Sequence, residues 1–136
     1  MTRRLTALGI VVLAASLAGC LNVQEPDLFL LTRAGAPSNL TLLVNDGGTI
    51  RCNGGPAKPL PDKMLLEARD LSTLLGNDVK HRLRFLRSAH SVATYRVRVQ
   101  NGTLTFPDTA AHQHSELAQL ELFAVQAAQG PCGLSG

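Results

Sequence analysis

A chain of 136 residues, 45% hydrophobic and 17% charged, has room for one small core, burying about two-thirds of the surface its unfolded form exposes. A formal charge of +3 with only 4% aromatic residues argues against a nucleic-acid partner, which asks for a strongly basic surface and stacking rings. No internal repeat or low-complexity tract interrupts the sequence.

Arg3 and Arg4 precede an apolar run from Leu5 to Leu17, and Leu17-Ala18-Gly19-Cys20 closes it. A charged start, a short apolar middle and small residues before a cut are the marks of a secretory signal peptide. The run is about 13 residues, whereas a helix crossing ~30 Å of hydrocarbon takes about 20. A cysteine directly after Ala18-Gly19 makes the segment resemble the signal of bacterial lipoproteins. That resemblance implies cleavage before Cys20, acylation of its thiol, and a mature chain held by lipid at the extracytoplasmic face of the cell membrane. Residues 1–19 are then the cleaved signal and 28–136 a single globular domain. Between them, residues 20–27 are the lipidated cysteine and a tether of at most about 20 Å.

Cleavage changes two counts. Without Arg3 and Arg4, 11 basic residues face 10 acidic ones, so the mature chain is nearly neutral. With Cys20 assigned to lipid, Cys52 and Cys132 remain in an exported chain, where disulfides persist. One pairing is expected, Cys52–Cys132. The chain-entropy model assigns roughly 4.5 kcal/mol to a loop of this length.

Beyond the tether, the apolar run 28–33 suits a buried strand. Gly35 to Asn39 breaks it, and Leu40 to Val44 forms the next strand. Asn45-Asp46-Gly47-Gly48 reads as a hairpin turn, after which Thr49 to Cys52 returns. A loop rich in Gly and Pro covers 53–61. Met64, Ala68, Leu71 and Leu75 then fall on one helical face, with Pro61 at a first-turn position and Asp62 near the positive end of the dipole. Gly76-Asn77 offers a stop, with Lys80 as the further limit. Residues 80–91 carry no clear period. Tyr95, Val97 and Val99 alternate with Thr94, Arg96 and Arg98, a strand with one polar face. Asn101-Gly102 signals a type I′ hairpin, and Thr103 to Phe106 pairs back. Ser115 suits an N-cap, Glu116 the first turn, and Leu117, Leu120, Ala124 and Ala127 the buried face of a second helix. Gly130-Pro131 stops it.

Motifs for chemistry are sparse. Gly-x-Ser-x-Gly, Ser-x-x-Lys and phosphate-cradling glycine runs are missing from the sequence. Ser88, Ser91 and Ser115 lie near His90 and His114 in sequence, which does not make a triad. His112 and His114 are the weak metal candidates, because i and i+2 side chains of an extended loop point the same way. Lys80, Arg82, Arg84, Arg87, Arg96 and Arg98 form the most conspicuous group, with no acid from residue 79 to 107. They are a candidate patch for anionic lipid headgroups or envelope polymers. A solvated face paired locally to Glu67, Asp70 or Asp78 is the plainer reading.

The strand ending in Cys52, the loop 53–61 leading to the helix 64–75, and the hairpin 92–106 together resemble the secreted subtilisin-inhibitor family of actinobacteria. The likeness is one of order and turn placement, and it implies an antiparallel sheet with two helices on one side. The second disulfide and the cysteine-anchored inhibitory loop of that family have no counterpart here, so no inhibitory residue transfers.

The expected architecture is therefore α+β: a mostly antiparallel five-stranded sheet with two helices on one face, in the order β-β-β-α-β-β-α, with one disulfide. The expected function is non-catalytic, a lipid-anchored extracytoplasmic domain that binds another envelope component, a protein or an anionic polymer, without a cofactor. A protease-inhibitor-like module is the alternative, and a small envelope enzyme or metal-binding protein the second.

Overall fold

Residues 26–135 are described by the structure, a computed structural model. The signal segment and the lipidation expected at Cys20 lie outside these residues.

The strands are β1 Asp27–Gly35, β2 Leu40–Asn45, β3 Thr49–Cys52, β4 Ala57–Pro59, β5 Ala93–Val99 and β6 Gly102–Pro107. The helices are α1 Asp62–Lys80 and α2 Ser115–Gln129, with a short 3-10 helix over Asp108–His112. One antiparallel sheet of six strands results, in the order β4-β3-β2-β1-β5-β6. The first strand is central, with a meander on one side and a hairpin on the other.

Period-2 patterning orients the sheet. Phe29 and Leu31 of β1, Leu42 and Val44 of β2, Ile50 of β3 and Val97 of β5 are fully buried on one face. Both helices cover that face. α1 contributes Ala68, Leu71 and Leu75, and α2 contributes Leu117, Leu120, Phe123, Ala124 and Ala127. The Phe29 and Phe123 rings meet edge to face, with centroids 5.7 Å apart. Burying such a ring stabilises by about 2–3 kcal/mol over leaving it in water. Cys52 and Cys132 are bonded, with Cα atoms 5.8 Å apart and a sequence separation of 80. The bond joins the end of β3 to the chain just beyond α2.

Several local expectations are corrected. The sheet has six strands rather than five, because Ala57–Pro59 within the expected loop pairs with β3. Prolines fit there because β4 is an edge strand, where a missing N–H costs no ladder bond. Asp27, expected at the end of the tether, opens β1 and accepts a hydrogen bond from Asn45 Nδ2 at 3.0 Å. Pro61 occupies the N-cap of α1 rather than its first turn. Of the two limits expected for this helix, Lys80 is the end and Gly76 lies inside. The actual stop is a Schellman motif: Arg82 N–H donates to Val79 O at 3.0 Å and Leu83 N–H to Asp78 O at 3.2 Å. The left-handed residue of that motif is Arg82, at φ +55°. His114, not Ser115, is the N-cap of α2, and no side chain caps it.

The two hairpins differ. Asn45 O accepts from Gly48 N–H at 3.1 Å, and Gly48 sits at φ +86°, a three-residue loop ending in a left-handed glycine. The β5–β6 turn consists of Gln100 and Asn101, since Val99 pairs with Gly102. Among the described residues only Asn53 and Arg82 have positive φ without being glycine, so this turn is not type I′. Gly102, at φ +150°, begins β6, and a Cβ there would stand 2.6 Å from Val79 Cγ1.

Candidate functional site

The sheet face away from the helices carries different chemistry. One row across it reads Arg51, Leu43, Leu30, Arg98 and Thr103, and the next reads Thr41, Thr32, Arg96 and Thr105. Three arginines and no carboxylate stand in these two rows. Arg96 is exposed and Arg98 half-buried.

The segment after α1 adds to this surface. The left-handed turn at Arg82 sends the chain along β6, where Phe85 is the anchor. Its ring meets Phe106 edge to face at 6.1 Å and His114 at 5.0 Å. A groove of about 410 Å³ places Arg82 and Arg84 beside Thr103 and Thr105. A hollow of about 350 Å³ places Arg87 beside Thr94 and Thr105. Arg96 and Arg98 stand opposite Thr105 and Thr103 across the β5–β6 ladder. Arg82, Arg84, Arg87, Arg96 and Arg98 thus gather around three threonines. Lys80, exposed on the last turn of α1, stands outside the lining of these grooves. Between Arg84 and Arg87 projects Leu86, 93% exposed.

Asp78, Asp108 and Asp46 each have contacts of their own. Burial raises Asp78, and so do the charge and the hydrogen bond of Glu116; His114 and His81 oppose them. Asp108 faces the loop that leads into β5. Its Oδ1 is 2.5 Å from Ser91 Oγ, and its Oδ2 accepts from Val92 N–H at 3.3 Å. Burial pushes the Asp108 carboxyl up, but the hydrogen bonds from Ser91 and from the backbone of Val92, Ala93 and Thr109 outweigh it and hold the group below the usual range. Asp46 pairs with Arg69 of α1 at 2.6 Å.

The candidate metal pair is not on an extended strand. His112 ends the 3-10 helix, exposed, whereas His114 turns inward with Nδ1 3.4 Å from Glu116 Oε1. The two belong to different elements, since Gln113 caps the 3-10 helix and His114, extended, is the N-cap of α2. Among the described residues no three of His, Cys, Asp and Glu are placed to hold a metal ion. Ser91, near His90 in sequence, has its hydroxyl against Asp108 and Ala93 O.

Sequence reasoning missed a polar cluster beneath the helices. Arg33 is 5% exposed. Its Nε donates to Ser38 O at 2.9 Å, and its side chain also hydrogen-bonds Tyr95. Burial raises the Tyr95 hydroxyl, as does the Glu121 charge, against the stabilising effect of Arg33. Glu121 on α2 has one buried oxygen without a protein partner. Burial and then the Asp108 charge push it up to about 7. The available signal was the alternation itself: Phe29, Leu31 and Arg33 share one face of β1, so Arg33 must point inward.

Among the described residues no helix is long and apolar enough to cross a membrane. Comparison of the chain with protein-family models, with curated proteins and with solved structures found no match.

Proposed function

We propose that this chain is a lipid-anchored extracytoplasmic domain that binds another component of the cell envelope without transforming it. The observation that carries the reading is the tetrad Leu17-Ala18-Gly19-Cys20 behind a short apolar run. The Cys52–Cys132 bond supports it, because such bonds persist in oxidising compartments. The gathered arginines supply a binding surface, and the hydroxyl of Ser91 is engaged by Asp108 and the Ala93 carbonyl rather than by a histidine.

Mass spectrometry of the protein extracted from membranes tests the anchor. The expected species lacks residues 1–19 and carries acyl chains on Cys20, and Cys20→Ala leaves the membrane fraction or stays unprocessed. A free thiol at residue 20, or residues 1–19 still attached, overturns it. Affinity capture with the lipidated protein, followed by turnover assays on whatever is recovered, tests the binding role. Chemical change of the captured component by the purified protein defeats the non-catalytic reading.

A further inference from the structure

We propose that the 82–87 segment docks the domain onto an anionic lipid surface, Leu86 entering the bilayer interface while Arg84 and Arg87 meet the phosphates. The inference rests on the lipid anchor and names what the basic surface touches.

Leu86 is 93% exposed, the most exposed of the large apolar side chains among the described residues. Leaving a leucine in water at the tip of a structured segment forgoes the benefit of burial. The neighbouring Phe85 shows that the segment has a place to put an apolar side chain, because its ring is packed between Phe106 and His114. The tip is therefore held outward. On either side stand Arg84 and Arg87, both exposed. An apolar tip ringed by cations suits a bilayer interface, where the leucine meets acyl chains and the guanidiniums meet phosphates. A soluble polyanion would use the arginines but not the leucine.

The position of the tether agrees with this orientation. Leu30 of β1 pairs with Arg98, and Arg98 with Thr103. The start of β1 thus lies at the same end of the sheet as the start of β6, two strands or about 10 Å away. Val79 of α1 lies against Gly102 at that end, and Arg82 follows three residues later; from there the segment runs along β6 to its other end, where Leu86 lies beside Pro107 and Thr109 and Arg87 beside Ala34 and Gly35. The edge as a whole stands two strands from β1, so a tether of at most about 20 Å entering at Asp27 lets a membrane lie along that edge.

The chain has no tryptophan, so Leu86→Trp creates a single emitter at the tip. The full-length lipidated protein is mixed with vesicles of phosphatidylcholine alone or with about a third phosphatidylglycerol. Emission of Leu86→Trp is expected to shift to the blue, and to be quenched by brominated acyl chains, on the anionic vesicles only. High salt should reverse the shift. Leu122→Trp, at a 54% exposed site on α2, should keep its aqueous emission on both. Arg84→Glu with Arg87→Glu should lower the tip's partitioning by about 30-fold or more, at roughly fivefold for each cation withdrawn. Leu86→Ser, at a site that contributes nothing to the core, should lower the binding of the unlipidated Cys20→Ala chain to anionic vesicles without changing the melting temperature. An unshifted Leu86→Trp on anionic vesicles overturns the proposal, as does an equal shift on neutral ones. Binding of poly(glycerol phosphate) without any blue shift assigns the arginines to a polymer instead and also overturns it. A missing anchor reads differently: the chain fails to sediment with neutral vesicles, while the tip still responds to anionic ones.

Discussion

The two faces of the sheet are made by the same strands and obey different rules. On the helix side, Phe29, Leu31, Leu42, Val44 and Val97 have lost all contact with water, and their size and shape are fixed by Leu71, Leu75, Leu117 and Phe123 opposite. On the other side, Thr32, Thr41, Arg96 and Thr105 are half-buried or exposed, with no apolar layer packed over them, and Thr32 Oγ1 donates to Arg96 O at 3.3 Å. Alternation at period 2 lets one stretch of sequence carry both instructions. The covered face specifies the fold, and the open face is free to specify a partner.

Substitutions that respect or cross this division should separate cleanly. Phe123→Ala, beneath the sheet, should destabilise by about 3–5 kcal/mol, read from denaturant unfolding. Opening the disulfide with Cys52→Ser and Cys132→Ser should cost about 2–5 kcal/mol while leaving the membrane attachment proposed for Cys20 unchanged in fractionation. Glu121 gives a pH signature to the covered side. Its folded pKa of about 7 lies above the ordinary glutamate value, so the folded state holds the proton more tightly than the unfolded one. Stability from this group is fully present below the ordinary value and is lost as pH rises through 7. Glu121→Gln should therefore raise the melting temperature by a few degrees at pH 8 and change it little at pH 4.5. Arg82→Gly should add about 0.5–1 kcal/mol, because glycine takes the left-handed conformation without a Cβ penalty. On the open face, Arg96→Ala should alter stability by less than about 0.5 kcal/mol; a larger loss in calorimetry would show that this face, too, holds the fold together.

Legibility in the sequence followed range. Tyr95-Arg96-Val97-Arg98-Val99 announced both its inner and outer sides, because its period is local. The same local logic located the turn at Asn45 to Gly48. It left two ends open for α1, Gly76-Asn77 and Lys80, and could not choose between them. That glycine is kept helical, and its carbonyl accepts from Asn101 Nδ2 at 2.9 Å, a contact with a residue 25 positions away. β4 was hidden because three residues among prolines carry no period, and only the ladder with Thr49 to Arg51 reveals them. Arg33 was concealed by reading the residue type before its position. The meeting of Arg82, Arg84 and Arg87 with Arg96 could not be read locally, since it depends on Phe85 finding Phe106 across the fold.

The short strand β4 has an effect on how these molecules tolerate one another. Sheets with free margins invite the strands of neighbours, and the hazard grows when many copies are confined to a plane. Here one margin is three residues long and includes Pro59, which has no N–H to offer a newcomer. The opposite margin lies beside Arg82 and Arg84, whose like charges repel a second copy approaching in the same way. Crowded molecules would therefore remain separate, and the sheet would not become the seed of a fibre.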